Sequence, residues 1–324
     1  MSAGTIAWID DGIHKPCGYR SGTVLLLGLA LSIHGTLFSQ KKQASQKPGA
    51  TYPLLVLVRH YREDEVLRYR MEGINQGHLN SIRYNVHADG VVKKNQSGIF
   101  IEEFRWSNLR VDNSPIPLSP ASQKFREDLS LSPQYRLSVP DLSKVQPILI
   151  GPITDLLTFY ADALLAMNQP SLVHVGDHVY VKHGIPNSWA DGNHFILAED
   201  AIDFDITLKA IDAAGHVATL VVRHVPPSHP RIELPAAWMQ TPVSDTPNNW
   251  VQVQKMSSGK YAAEVGKETF TDEIKISTLS GKIISASMDN PVDVLERICS
   301  DSSLESCGAP ARFQIKRQIT LNQD

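Results

Sequence analysis

Residues 151–168 read "GPITDLLTFYADALLAMN". Ile153, Leu156, Leu157, Tyr160, Leu164 and Met167 recur at helical spacing. Pro152 suits a first helical turn, where its missing N–H is not needed. Asn168 and Pro170 stop the run. Asp155, Thr158 and Asp162 fall on the other side and read as a solvated edge; the two aspartates are about 10 Å apart along the axis, at or beyond the spacing of paired glycosidase carboxylates. Ala161, Ala163, Leu165 and Ala166 make even the flanks apolar, so the helix is expected to be largely covered. What covers it must come from the rest of the chain, which reads as β.

"EVLRYRMEGI" (65–74) sets Leu67, Tyr69 and Met71 against Val66, Arg68 and Arg70, as on a half-buried strand. "SIRYNVHADGVVKK" (81–94) carries Ile82, Tyr84 and Val86 on one face, and its Asp89–Gly90 pair is either a turn or a point the strand runs through. With "GIFIEEFRWSNLRV" (98–111) these segments predict an antiparallel meander. Prolines 115, 117, 120, 133 and 140 then punctuate 112–146 too densely for a central strand, leaving a surface excursion with a short strand at 134–139 that can link two subdomains. Hairpins follow over 204–225, around Ala213–Gly215; over 248–266, turning at Ser258–Gly259; and over 273–288, turning at Ser280–Gly281. "DNPVDVLERIC" (289–299) reads as a short helix, with Asp289 or Asn290 as cap and Pro291 as first residue, before a last strand at 312–321.

The chain has 324 residues, 42% of them hydrophobic, enough to bury a sizeable core. A net charge of −3 without a basic block excludes the electrostatic footprint of a nucleic-acid binder. Near the N-terminus Lys15 and Arg20 precede an apolar run, Thr23 to Phe38, that is shorter than a spanning helix and is interrupted by His34. Residues 1–39 are therefore expected to be a signal peptide or an uncleaved anchor, 40–52 a polar linker, and 53–324 a β-rich domain. The expected location is periplasmic or extracellular, with membrane contact only through the N-terminal segment if it is kept. Cys17 precedes the apolar core, so Cys299 and Cys307 would be the thiols of the exported chain and are expected to form a disulfide worth about 2–3 kcal/mol.

Seven of the twelve histidines lie between 174 and 229. In "VHVGDHVYVK" (173–182) the valines alternate with His174, His178, Tyr180 and Lys182, the pattern of a strand with a polar outer face. On a strand, i and i+4 are about 13 Å apart, too far for one zinc ion to touch His174 and His178 together. A metal or hydrolytic site can still be assembled across strands from His174, His178, His224 and His229. Asp200, Asp203 and Asp205 lack the ordered loop of a calcium site. No GxSxG, phosphate-binding glycine loop, HExxH or CxxC occurs, and no cofactor motif is present. Trp106, Trp189, Trp238 and Trp250 read first as core residues.

The expected fold is thus mainly β (α+β): a strongly curved antiparallel sheet, half-barrel-like, with the long helix on its concave face and a short C-terminal helix closing one end. In the order of its elements after residue 53 this resembles the half-barrel of exported lipoprotein carriers, and exported β-rich bacterial proteins more widely. The resemblance implies an apolar ligand, such as an acyl chain, held between sheet and helix. Leu156, Leu157, Tyr160 and Leu164 would line its pocket. The leading reading is a non-catalytic exported binding or envelope protein; the rival is an exported hydrolase or metal-dependent enzyme built on the histidines.

Overall fold

The computed structural model describes residues 59–324, apart from 78–80, 97, 131–141, 143, 183–186, 191–194, 200–202 and 226–233. The signal segment (1–39), the linker (40–52), the strand expected at 134–139, and His183, His194 and His229 lie outside the described residues. The strands are β1 (Val66–Gln76), β2 (Ser81–Lys94), β3 (Phe100–Val111), β4 (Ser114–Pro115), β5 (Glu127–Ser130), β6 (His178–Lys182), β7 (Asn187–Ala190) and β8 (Phe195–Glu199). They continue as β9 (Asp203–Asp212), β10 (Val217–Val225), β11 (Trp250–Lys255), β12 (Tyr261–Glu268), β13 (Phe270–Ser277), β14 (Ile283–Cys299) and β15 (Ala311–Gln323). Among the described residues the helices are α1 (Pro120–Lys124), α2 (Pro147–Met167) and one 3₁₀ turn at Ala237–Gln240.

All these strands belong to one open antiparallel sheet. The β1–β2–β3 meander and the three later hairpins form as the alternation and turn residues predict. β2 runs straight through Asp89–Gly90, paired with β1 from Ser81 to Val91. On β1 every second residue from Leu67 to Gly73 is buried, as the half-buried pattern requires.

The helix expected at 289–299 is instead the second half of β14, a 17-residue strand. Tertiary pairing overrides its helical signals. β15 binds one edge of β14 from Ser285 to Glu296. The other edge is shared: β13 pairs with β14 up to Asp289, and β12 pairs with it from Val292 onward. The sheet forks there. Pro291 falls at the fork, where its carbonyl accepts from the Thr269 N–H and a missing donor breaks no ladder. Asn290 fills the corner, its Nδ2 donating to Glu268 Oε1 (2.9 Å) and to the Thr269 carbonyl (3.0 Å).

Each arm of the fork has its own core. Leu295, Cys299, Val251, Val253, Ala263 and Val265 pack with Met239 of the 3₁₀ turn and with Leu304. The sulfurs of Cys299 and Cys307 lie at disulfide distance, 2.02 Å, joining the end of β14 to the loop before β15. The larger core joins β1–β3, β9, β10 and β13 to α2. α2 starts at Pro147, which takes the first-turn position, so Pro152 lies inside the helix and leaves the Ile148 carbonyl without its usual partner. By length and composition 148–167 would also cross a membrane, but 67% of that window is buried, as for a core helix.

Close approach of helix and sheet depends on small residues opposite aromatic ones. Gly73 of β1 lies directly across from Tyr84 of β2, and a Cβ on Gly73 would sit 2.2 Å from the Tyr84 ring. The Tyr84 hydroxyl is held by Asp155 of α2 (3.0 Å), so the ring cannot swing away without breaking a buried hydrogen bond. Gly73→Ala is therefore expected to lower the unfolding free energy by about 1–3 kcal/mol, read as a drop in the urea midpoint. An unchanged midpoint would show that the ring moves aside freely.

Candidate functional site

The face of the sheet away from α2 carries a groove of about 920 Å³. Strand register builds its floor from two rows of side chains. One row runs Arg110–Asn85–Glu72–Thr320–Ser287–Glu273 across β3, β2, β1, β15, β14 and β13. The next runs Arg83–Ile74–Gln318–Asp289–Thr271. All of these residues line the groove. They occupy the solvent-facing phase of strands whose other phase is core. Six strands at ordinary spacing make the floor about 24 Å long.

The lining is mixed: hydroxyls, amides and charges of both signs stand beside Ile74, and Tyr84, Met288 and Ile319 also border it. Glu72 is engaged by Arg70 (3.4 Å) and by Asn85 Nδ2 (3.1 Å), Glu273 by Lys209 (2.6 Å), and the Arg110 guanidinium by the Asn113 carbonyl (2.8 Å). Sequence alternation places these residues on a polar face, but only the register between strands distant in sequence brings them together.

Under α2 the arrangement differs from the expected pocket. Leu156, Leu157 and Tyr160 are fully buried in the large core and Leu164 is half-buried. The 920 Å³ groove is lined by none of the four. The expected solvated edge of the helix is a correction: Asp155, Thr158 and Asp162 are buried as completely as the leucines. Asp155 is ion-paired with Arg317 of β15 and accepts from Tyr84 Oη. Asp162 lies 2.9 Å from His224 Nε2 on β10, and Asp272 of β13 is fully buried with neither carboxyl oxygen hydrogen-bonded among the described residues. Tyr160 Oη donates to Glu102 Oε2 at 2.5 Å.

Burial, reinforced by Asp162, holds Asp272 well above the usual carboxylate range. Burial likewise pushes Glu102 up to about 7, against the Tyr160 hydrogen bond and the Arg59 charge. On the opposite face of β12 from the smaller core, Glu264 is pushed up to about 8, by burial and then by Glu296 across the strand pair.

Among the described residues, His174, His178 and His224 are not brought together. His174 is in a turn rather than on a strand: its N–H and that of Val173 donate to Asp177 Oδ2, and Gly176 makes the bend at φ 94°. The strand begins only at His178, which is exposed beside Asp205 (3.6 Å). His224 is on the other face, buried and stacked on Phe270 (4.1 Å between ring centroids). No group of three His, Cys, Asp or Glu side chains able to hold a metal occurs among the described residues. Trp106 and Trp250 are core residues, and Trp238 caps the smaller core, its Nε1–H donating to the Leu304 carbonyl.

No protein-family model matches the chain, and no curated protein matches it. Among solved structures it is similar to one described as "Lipid-protein interactions in lipovitellin", at 9% identity and a TM-score of 0.39, over 82% of this chain. The chain spans 25% of the length of that one. A likeness at that level carries no statement about this chain's fold or ligand.

The raised carboxyls set the pH dependence of stability. Each binds a proton more tightly folded than unfolded, so its contribution is fully present below about 4.5 and is lost as pH rises through the folded value. Between pH 5 and 8.5 the urea midpoint is expected to fall. Glu264→Gln should flatten that fall by an amount on the order of a few kcal/mol. A midpoint that rises with pH over this range would contradict the burial of these acids.

Proposed function

We propose that this chain is an exported, non-catalytic binding protein and that the groove on the open face of the sheet holds an elongated polar ligand. The observation that carries this is the groove itself: about 920 Å³, within the range of ligand sites, floored by two registered rows of hydrogen-bonding side chains. Donors, acceptors and both charges along the floor match a ligand that carries polar groups along its length. An acyl chain would take these groups out of water without offering them hydrogen bonds. Export is supported by the apolar run at 23–38 with its positive flank, and by the Cys299–Cys307 pair, which fits an oxidising compartment.

A second reading keeps the apolar ligand between sheet and helix. It is favoured by α2 being apolar nearly all round, with Ile148, Ile150, Leu165 and Met167 only partly covered. It requires the helix to lift, and the sheet to curve around the ligand as a half-barrel does.

Native mass spectrometry of the purified chain separates the two. A polar adduct that disappears in Thr320→Trp, an exposed position in the middle of the groove floor, is the expected result. A lipid-sized adduct that survives this substitution would place the ligand under α2 and overturn the groove reading. A metal adduct lost on chelation would restore the histidine alternative.

A further inference from the structure

The charges that line the groove are not all engaged within the protein. Its carboxylates are: Glu72 by Arg70 (3.4 Å), Glu273 by Lys209 (2.6 Å), and Asp289 by the Gln318 amide (3.5 Å). Elsewhere on the open face of the β1–β3 meander, Arg68, Lys93 and Arg105 each face a carboxylate, at 3.9, 2.8 and 3.6 Å. Arg83 and Arg110 do not. Among the described residues neither guanidinium makes an ion pair. Arg110 donates from Nη2 to the Asn113 carbonyl (2.8 Å), and Asp112, in the turn beside them, accepts from the Arg83 backbone N–H (3.0 Å).

Register sets these two side by side. Arg110 lies across from Asn85, which is two residues from Arg83 on the same phase of β2, so the arginines are diagonal neighbours about 7 Å apart. Both are exposed and both line the groove. Like charges this close repel, and an anion between them replaces the repulsion with charge-assisted hydrogen bonds. The uncommitted charge of the groove is therefore positive and sits at its β2–β3 end, with the hydroxyls of Thr320 and Ser287 in the middle of the floor.

Shape narrows the ligand further. The floor is six strands long and two same-phase residues wide, about 24 Å by about 7 Å, which takes one linear chain. It lies on the face of the sheet, where the strands already hold one another in ladders, so a peptide finds no free edge to extend. A hydroxyl both donates and accepts, and so pairs equally with the carboxylates, amides and hydroxyls of the floor. Ile74 and Met288 offer apolar contact to the C–H faces of sugar rings.

We propose that the ligand is a linear acidic oligosaccharide, with a carboxylate or sulfate of the chain held between Arg83 and Arg110 and its hydroxyls lying along the Thr320–Ser287 row. This rests on the groove being the ligand site.

Isothermal titration calorimetry of the full chain tests it with three linear probes: oligogalacturonate, the methyl ester of the same oligomer, and a sulfated cello-oligosaccharide. One of the two charged probes should bind, and which one separates carboxylate from sulfate recognition. Arg83→Gln and Arg110→Gln, both exposed changes, should each weaken it about tenfold or more, the loss expected for a hydrogen bond to a charged group. Arg105→Gln, on the same face but outside the groove, should leave it unchanged, and Thr320→Trp should abolish it. Equal binding of oligogalacturonate and its ester, unaffected by the arginine changes but lost in Thr320→Trp, overturns the anion subsite and leaves the groove reading standing. So does the failure of both charged probes to bind a chain that still carries a polar adduct in native mass spectrometry, which overturns the acidic-sugar class. Binding of a charged probe that survives Thr320→Trp takes down the groove reading itself.

Discussion

The contact on which the structure depends is the meeting of two helix carboxylates with a guanidinium and an imidazole under α2. An apolar helix on an apolar sheet is held by area, and area alone does not choose a rotation or a height. Asp155 on Arg317 and Asp162 on His224 do choose. They stand two helical turns apart on one stripe of α2 and reach β15 and β10, strands on opposite sides of the β13–β14 hairpin. Only one placement satisfies both. Removing Arg317 would strand the Asp155 carboxylate without water, a loss of roughly 3–5 kcal/mol. The net stabilisation by the intact pairs is much smaller, because burying them is costly. Their effect is to select one arrangement among many that bury the same leucines.

The fork at β14 is the matching constraint within the sheet. A 17-residue strand is long for a globular protein, and this one has partners on both edges for nearly its whole length. Its first half belongs to the sheet that α2 covers, and its second half to the arm that carries the Cys299–Cys307 pair. The helix network touches the fork through Arg317, whose charge is felt at Glu268, itself bonded by Asn290. Helix placement and sheet branching are thus joined by adjacent buried polar groups.

Much of this was legible in sequence. Alternation and turn residues gave the meander and the three hairpins because each is a local event. The helix at 289–299 was misread because cap residues and spacing are local too, while the pairing that keeps this segment extended comes from β12, β13 and β15. The buried charges left a signal that was available. In "FQIKRQITL" Arg317 stands in the same phase as Ile315, Ile319 and Leu321; in "FTDEIKI" Asp272 stands in phase with Phe270 and Ile274; in "LVVRH" His224 follows Leu220 and Val222. A charged residue at an apolar position of a strand announces a buried partner. Three such intrusions, set beside a helix with aspartates seven residues apart, make the pairing inferable without coordinates. The groove left no such trace. Its rows join residues as far apart as Glu72 and Thr320, and each is an ordinary polar residue on an ordinary solvated phase.

The two faces of the sheet therefore divide the work. One face is closed by a helix that is locked chemically as well as covered by area. The other is left open, with its polar groups in registered rows. A ligand entering under α2 has to displace the helix and wet four carboxyls, so that face admits a ligand only when the lock is released. A ligand entering the groove displaces only water and meets groups already held in place by the ladder. Pre-organisation favours the open face for binding, and it gives the locked face a different role, that of fixing the shape of the sheet that the groove is cut into. The register that aligns Glu72 with Thr320 and Ser287 with Glu273 is the same register that stacks Gly73, Ile319, Met288 and Asp272 on the other side. A one-residue slip would bury the groove and expose the lock together. The buried charges, by opposing that slip from below, hold the rows above.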